Sequence, residues 1–84
     1  MWRGPYKLKV KPKTILGERL AIIIEEHKLT QKQIAEAIGV YPNAIYRWLT
    51  KYEYPNATSI MMICKTYKVS ADWLLGLSNR KERW

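Results

Sequence analysis

Apolar residues recur at intervals of three and four positions along most of the chain, a spacing that places them on one face of an α-helix. The first helix is predicted from about Thr14 to His27. Four residues with this spacing form its inward face, namely Leu16, Leu20, Ile23 and His27. Ile15 and Ile22 project to the opposite side, so either they are exposed or another segment covers them. The cover would be either Leu8 and Val10, near the N-terminus, or a second subunit.

A second helix is predicted from its start signal. Thr30 and Gln33 have the spacing of a capping box, in which each side chain binds a backbone N–H at the helix start. The inward residues that follow are Ile34, Ala35 and Ile38. Gly39 then ends the helix where a left-handed backbone favours glycine.

A third helix, residues 42–49, follows after a tight turn. Pro42 suits its first position because proline lacks the N–H that would be unpaired there. Ile45 and Trp48 are three residues apart and anchor this helix in the core. The opposite face carries polar, aromatic and basic residues, namely Asn43, Tyr46, Arg47 and Thr50.

Two further helices complete the prediction. Residues 51–55 form a loop, and Asn56 caps a fourth helix whose inward residues are Ile60, Ile63, Cys64 and Tyr67. Ser70 caps a short fifth helix that ends at Gly76, with Trp73 and Leu74 inward. The predicted fold class is therefore all-α, a compact domain of five helices.

Size and composition limit the organisation to one small domain. The chain has 84 residues, 48% of them hydrophobic, which is too short for two domains. No apolar run approaches the roughly 18 residues that cross a bilayer, and the N-terminus lacks the apolar stretch of a signal peptide. We therefore expect a cytoplasmic protein without membrane association. Cys64 is the single cysteine, which excludes an internal disulfide and fits a reducing compartment.

The net charge of +8 is concentrated at the two ends of the chain. Residues 1–13 contain no acidic residue and the basic residues Arg3, Lys7, Lys9, Lys11 and Lys13. We divide the chain into a basic N-terminal arm (1–13), a globular domain (14–77) and a basic C-terminal tail (78–84). A basic excess of this size favours a polyanionic partner, although a solubilising role for the arm is the alternative.

The sequence contains no residue combination typical of an enzyme or a metal site. His27 is the single histidine, and its position predicts a partly buried structural residue. Cys64 is predicted to be a small core residue. No histidine is placed to activate a serine or cysteine, and no glycine-rich phosphate loop is present. We therefore expect no enzymatic activity, no cofactor, no metal and no small-molecule ligand.

The second and third helices have the spacing of a helix-turn-helix motif, at about residues 31–50. In this motif the second helix stands clear of the body to enter a major groove about 12 Å wide, and the first crosses the backbone behind it. Ala35 lets the two helices approach, Gly39 permits the sharp reversal, and Ile45 fixes their crossing. The spacing therefore predicts a DNA-binding protein.

The sequence Leu-Thr-Gln-Lys-Gln-Ile-Ala-Glu-Ala-Ile-Gly-Val at residues 29–40 resembles the start of this motif in the lambda-repressor-like family of Cro-type, or XRE, regulators. Further similar segments lie at residues 17–20, 45–48, 55 and 69–76, so the resemblance extends without gaps over about residues 16–76. It implies a five-helix domain, commonly dimeric on DNA, that controls the transcription of phage, mobile-element or bacterial genes.

The resemblance also implies roles for individual residues. Gln31 matches a position that contacts backbone phosphate, and Asn43 and Arg47 match base-reading positions. Asparagine pairs with adenine and arginine with guanine, so these residue types suit that role. The predicted DNA-binding residues are Gln31, Tyr41, Pro42, Asn43, Tyr46, Arg47, Thr50 and Lys51, the last two being placed in the loop after the third helix for phosphate contacts.

The chain departs from the family pattern around the third helix. Tyr41 stands where serine or threonine is usual, and Pro42 replaces a polar residue. Residues 49–51 are Leu-Thr-Lys where Glu-Asn-Gly is frequent, which predicts a different exit loop. Tyr41, Tyr46, Tyr52 and Tyr54 also make the expected DNA side unusually aromatic.

The five basic arm residues are predicted to contact the DNA backbone or the minor groove, because neutralising phosphates strengthens binding. Residues 6–11 alternate polar and apolar side chains with a period of two, so the arm is either disordered or a short strand on the body.

The function predicted from these observations is transcription regulation, most simply by a repressor that binds a roughly palindromic operator in double-stranded DNA as a homodimer. The sequence is also compatible with two alternatives. One is the antitoxin of a toxin–antitoxin pair, which would use the same motif to regulate its own synthesis. The other is a protein-interaction module that binds another protein through the aromatic surface.

Overall fold

Five α-helices make up the body of the protein. The computed structural model describes residues 11–82, and within them the helices are α1 Ile15–Glu26, α2 Gln31–Ile38, α3 Pro42–Thr50, α4 Ala57–Tyr67 and α5 Ala71–Leu74. The predicted all-α, five-helix architecture is confirmed. The extended pairing within these residues is a single antiparallel bridge between Val69 and Glu82. None of the described helices is long and apolar enough to cross a membrane.

The predicted helix starts are confirmed by their caps. Thr14 accepts a hydrogen bond at Oγ1 from the Gly17 backbone N–H at 2.9 Å. Thr30 and Gln33 form the complete capping box, with distances of 2.8 and 3.0 Å. The starts of α4 and α5 are capped in the same way by Asn56 and Ser70. Each cap satisfies a backbone N–H that the helix itself leaves unpaired.

The core is built from residues of all five helices. Its largest fully buried side chains are Leu16, Leu20, Ile23, Ile34, Ile45, Leu49, Ile63, Val69 and Leu74. Trp48 and Trp73 are buried beside them, and Cys64 is a buried core residue as predicted. Helix α1 packs against α3 and α5, and α4 packs against α2 and α5, so the five helices share one core.

His27 does not extend the inward face of α1 as predicted, because the helix ends at Glu26 and His27 is its exposed C-cap. Its Nδ1 lies 3.1 Å from the Ile23 carbonyl oxygen, and its ring meets Tyr67 edge-on at 4.9 Å between centroids. The residue therefore closes the end of the helix at the rim of the core.

The two isoleucines on the other side of α1 differ from each other. Ile22 is half-buried and packs against the core. Ile15 is 49% exposed, and its side chain lies against the backbone of Gly76, where an added Cβ would come within 2.8 Å of Ile15 Cγ2. Leu8 and Val10, which were one of the two predicted covers of Ile15 and Ile22, lie outside the described residues.

Residues 78–82, which we predicted to be part of a basic tail, lie along the body. The Ser70 backbone N–H donates to the Lys81 carbonyl at 2.7 Å, next to the bridge between Val69 and Glu82. Lys81 also forms an ion pair with Glu26 of α1. The segment after α5 therefore contacts both α1 and the residues at the start of α5.

Candidate nucleic-acid interface

The turn between α2 and α3 has the geometry that a helix-turn-helix requires. Gly39 is left-handed, with φ of 79°, and the Val40 backbone N–H donates to the Ala35 carbonyl at 2.9 Å. Ala35 and Ile45 are completely buried where the two helices cross. The roles predicted for Ala35, Gly39 and Ile45 are therefore confirmed.

Helix α3 is held from behind by a close contact with α1. Gly17 of α1 lies so near that a Cβ built on it would be 2.9 Å from the Trp48 carbonyl oxygen and 3.3 Å from that of Leu49. Any side chain there would push the two backbones apart. The position of α3 relative to the rest of the domain is thus fixed by contact between backbones.

The two faces of α3 are sharply different. Ile45, Trp48 and Leu49 are buried, whereas Asn43 and Tyr46 are exposed. The structure therefore brings Asn43, Tyr46 and Arg47 to the surface of one helix, as predicted. The burial of Leu49 was not predicted, although it follows Ile45 by four residues and shares its side of the helix.

Thr50 corrects the predicted set. It is the last residue of α3 and not part of the loop, it is only 3% exposed, and its Oγ1 donates to the Tyr46 carbonyl at 2.8 Å. A buried hydroxyl that is already bonded to its own helix is not available to a phosphate. The predicted loop begins one residue later, at Lys51, which is exposed.

The remaining predicted residues frame the exposed side of α3. Gln31 is the first residue of α2 and is half-buried. Tyr41 precedes α3, is 82% exposed and forms no side-chain cap, while Pro42 is exposed in the first turn of the helix. The Tyr41 side chain therefore points into solvent, whereas a capping side chain would bind a backbone N–H in the first turn of α3.

One contact of the site was not found from the sequence. Arg47 Nε donates to Glu53 Oε2 at 2.8 Å, with the two side chains 43% and 50% exposed. Glu53 lies in the loop between α3 and α4, six positions after Arg47, so helical spacing gives no signal for the pair. The departure of residues 49–51 from the family pattern was the available hint that this loop differs.

The surface around α3 is aromatic, and the described part of the basic arm is exposed. Tyr52 and Tyr54 of the loop are exposed, in addition to Tyr41 and Tyr46. Of the five arm residues, Lys11 and Lys13 are exposed, whereas Arg3, Lys7 and Lys9 lie outside the described residues. Within residues 11–82, no three histidine, cysteine or acidic side chains come together in a way that could hold a metal ion.

Comparison with known proteins agrees with this geometry. A model of the helix-turn-helix family matches residues 20–74, which include α2, α3, α4 and α5. The chain belongs to the helix-turn-helix family. The predicted lambda-repressor-like class is thereby confirmed. It is a class of DNA-binding domains of transcription regulators and not a class of enzymes.

Two curated relatives are transcription regulators by name. The chain is 31% identical over 62 residues to the uncharacterized HTH-type transcriptional regulator YobD of Bacillus subtilis (strain 168), covering 74% of this chain and 55% of YobD. It is 37% identical over 59 residues to the HTH-type transcriptional activator BcrR of Enterococcus faecalis, covering 70% of this chain and 29% of BcrR. The chain thus spans about half or less of these relatives, so the similarity concerns the domain and not their full lengths.

A solved structure with the same fold contains DNA. The P22 c2 repressor, crystallised in complex with the synthetic operator 9T, superimposes with a TM-score of 0.70 at 27% identity. The match covers 75% of this chain and 96% of that repressor chain. Its extent means that the likeness involves the whole domain and not the motif alone.

Proposed function

We propose that the protein is a sequence-specific, double-stranded DNA-binding regulator of transcription that reads the major groove with α3. The observation that carries this proposal is the orientation of α3. Ile45 and Trp48 hold it in the core while Asn43, Tyr46 and Arg47 face outward. The operator complex of the similar P22 c2 repressor supports double-stranded DNA as the partner.

The exposed residues suit the edges of bases. Asn43 can pair bidentately with the N6 and N7 of adenine, and Arg47 with the O6 and N7 of guanine. Tyr46 lies between them and is long enough to contact a sugar or a thymine methyl group. Each correct pair of this type contributes about 1–3 kcal/mol of discrimination against a wrong base.

Phosphate contacts would come from the residues around α3. Gln31 begins α2, the helix that crosses the DNA backbone in this motif, and Lys51 is exposed at the end of α3. The arm, with Arg3, Lys7 and Lys9 ahead of the described Lys11 and Lys13, adds positive charge at the N-terminal side of the domain. Such contacts fix the orientation of a protein on DNA without reading its sequence.

We further propose that the protein acts in the cytoplasm of a bacterial cell as a homodimer on a palindromic operator, in the manner of phage and mobile-element repressors. A two-fold symmetric dimer would place its two α3 helices in successive major grooves, about 34 Å apart on one face of the duplex. The relatives that are similar in sequence include a protein named as an activator, so the proposal covers activation as well as repression.

A protein-interaction role is favoured by one observation, the exposure of Tyr41, Tyr52 and Tyr54 beside α3. Tyrosine is enriched at protein interfaces because it combines a large apolar ring with a polar tip. The net charge of +8 argues in the other direction, since such an excess suits a nucleic acid.

Selection of bound sites from a random DNA pool tests the main proposal. The expected result is an enriched sequence whose repeated half-sites are separated by about one helical turn. Asn43→Ala and Arg47→Ala should each lower affinity for the enriched site by about 5- to 100-fold and relax the preference at one base pair. Enrichment of no sequence by the folded protein, or full operator affinity in both variants, would contradict the proposal.

A further inference from the structure

The contact between Arg47 and Glu53 suggests a second residue that determines DNA specificity. Arginine has three nitrogens on its guanidinium group, and Glu53 occupies the side of this group by accepting from Nε at 2.8 Å. The two terminal Nη groups at the far edge have no hydrogen-bond partner among residues 11–82. The guanidinium is therefore held from the side, with its terminal edge unoccupied.

Glu53 is itself held in place by its loop. At the start of this loop the Lys51 backbone N–H donates to the Arg47 carbonyl at 2.8 Å, so the chain leaves α3 in a defined direction. At its end Pro55 is buried and Asn56 caps α4 with a 2.8 Å hydrogen bond. Because both ends of the loop are anchored to helices, its backbone presents Glu53 next to Arg47.

This arrangement matches what guanine requires. Guanine presents two acceptors, O6 and N7, in the major groove, and two parallel N–H groups of one arginine bind them together. An arginine side chain that is free to rotate loses conformational entropy when it is fixed in this way. A carboxylate that already binds Nε reduces that loss, because the two Nη groups are oriented in the free protein.

We propose that Glu53 is a positioning residue that holds Arg47 by Nε, so that the two Nη groups select guanine at one position of each half-site. This role rests on the proposed function, since it needs Arg47 to meet a base. It adds a specificity determinant that lies outside α3 and contacts no DNA itself.

Stability does not account for the pair. Both side chains are about half exposed, and exposed ion pairs contribute little to folding because water and salt screen them. A carboxylate close to DNA also repels phosphate. A Glu53 without a positioning role would therefore weaken binding to every DNA sequence alike, and its removal would strengthen binding without changing base preference.

The test is a set of affinities of four proteins, namely wild type, Glu53→Gln, Arg47→Ala and the double variant. Each protein is titrated against the operator selected by the wild type. Each is also titrated against three altered operators, which carry the other three base pairs at the position where Arg47→Ala loses its base preference. Glu25→Gln of α1 is the matched control, since it makes the same change of charge at another exposed acid. Circular dichroism of every variant verifies the fold.

We expect wild-type discrimination for guanine of about tenfold or more at that position, and a fall of at least about threefold in this ratio for Glu53→Gln. Affinity for unrelated DNA should stay constant or rise in the same variant. In the Arg47→Ala background the Glu53→Gln change should leave the base preference unaltered, and Glu25→Gln should preserve the wild-type ratio. Glu53→Ala should show the same fall in discrimination as Glu53→Gln. The effect then comes from loss of the carboxylate and not from new contacts of the glutamine amide.

The outcomes separate the two proposals. If the wild type enriches no site, the proposed function fails, and the role of Glu53 fails with it. If the wild type enriches a site but Glu53→Gln keeps the full discrimination, or the relaxed position is not guanine, only the role of Glu53 is overturned. An equal gain in affinity of Glu53→Gln for all DNA, with base preference retained, would identify Glu53 as a repulsive charge and overturn the positioning role.

Discussion

Arg19 of α1 donates from Nη1 to the backbone carbonyl of Trp73 in α5 at 2.6 Å, while its guanidinium carbon lies 5.0 Å from the centre of the same residue's ring. The same Nη1 donates to the Ser78 carbonyl at 2.8 Å, and Nη2 reaches Asn79 Oδ1 at 3.3 Å. One side chain thus connects the first helix to the fifth helix and to the segment after it. The Trp73 carbonyl lies at the end of α5, where it also accepts from the Gly76 backbone N–H at 3.1 Å, and the Ser78 carbonyl lies in the segment after the helix.

Replacing Arg19 by methionine should destabilise the domain, because it leaves two backbone carbonyls without their charged donor. The expected loss is about 2 kcal/mol, or a fall in Tm of roughly 10 °C. The stability of Arg19→Lys should lie between that of the wild type and that of Arg19→Met, since lysine keeps the charge but lacks the planar guanidinium group. Thermal unfolding followed by circular dichroism measures both. Lys65→Met on the exposed side of α4 is the control for loss of charge, and an equal effect there would refute the special role of Arg19.

Gly17 and Gly39 should respond differently to substitution. At Gly17 an added Cβ meets the Trp48 carbonyl oxygen at 2.9 Å, whereas at Gly39 nothing lies within 4 Å but φ is +79°. Alanine at position 17 should cost about 1–2 kcal/mol despite its better helix propensity, because it separates α1 from α3. Alanine at position 39 should cost about 1 kcal/mol through backbone strain alone.

Asparagine distinguishes the two causes, since it tolerates the left-handed backbone but is larger than alanine. Gly39→Asn should unfold at a denaturant concentration close to that of the wild type, and Gly17→Asn well below it. If both asparagine variants were equally unstable, crowding against α3 would not be the reason for glycine at position 17.

Thr50 and Lys51 are neighbours in the chain, yet they should affect different properties. Thr50→Val removes a buried hydroxyl that donates to the Tyr46 carbonyl, so it should change stability by no more than about 1 kcal/mol and leave DNA affinity unaltered. Lys51→Ala should keep the stability and reduce the slope of log affinity against log salt by about one, as expected for one lost phosphate contact. Titrations at several salt concentrations measure these slopes. A loss of DNA affinity in Thr50→Val of similar size at every salt concentration would show that its hydroxyl reaches DNA after all, because an uncharged contact lowers affinity without changing the slope.

Tyr67 makes the stability depend on pH in the alkaline range. Burial raises the pKa of the Tyr67 hydroxyl above its usual value of 10.0, because the charged phenolate is poorly solvated there. Above about pH 10 the unfolded chain therefore loses this proton more readily than the folded one, and the free energy of unfolding falls as the pH rises. Below that pH the contribution is fully present.

The matched substitutions are Tyr67→Phe and Tyr52→Phe, the second at an exposed tyrosine of the loop. Urea unfolding between pH 8 and pH 11 should show a shallower alkaline decline for Tyr67→Phe than for the wild type, whereas Tyr52→Phe should follow the wild-type curve. Parallel curves for all three proteins would remove Tyr67 as a source of the decline.

The contribution of the arm is measured by deleting residues 1–10, which carry Arg3, Lys7 and Lys9. Pro12 is retained because it is buried against Gly17. If the three charges contact phosphates, the salt slope of DNA binding should fall by up to about three and affinity should drop most at low salt. Replacing the three residues by glutamine at full length is the control for length. A deletion with the wild-type slope would leave the arm as a solubilising segment.

The sequence by itself determined the features that depend on neighbours in the chain. These features rest on hydrogen bonds and periodicities that span only a few residues. They are the caps at Thr30, Asn56 and Ser70, the left-handed Gly39 and the inward side of α3. Since the exposed side of a short helix is fixed once its apolar side is known, the surfacing of Asn43, Tyr46 and Arg47 could be predicted as well.

The tertiary structure alone decided the features that depend on residues far apart or on a loop. Thr50 is buried because α3 continues one residue further into the core, His27 is exposed because α1 stops short of it, and residues 78–82 return to the body through Arg19 and Lys81. Glu53 reaches Arg47 from the loop between α3 and α4. Such contacts leave no periodic trace in the sequence, since they are set by how helices end and where loops return, and not by which face of a helix is apolar.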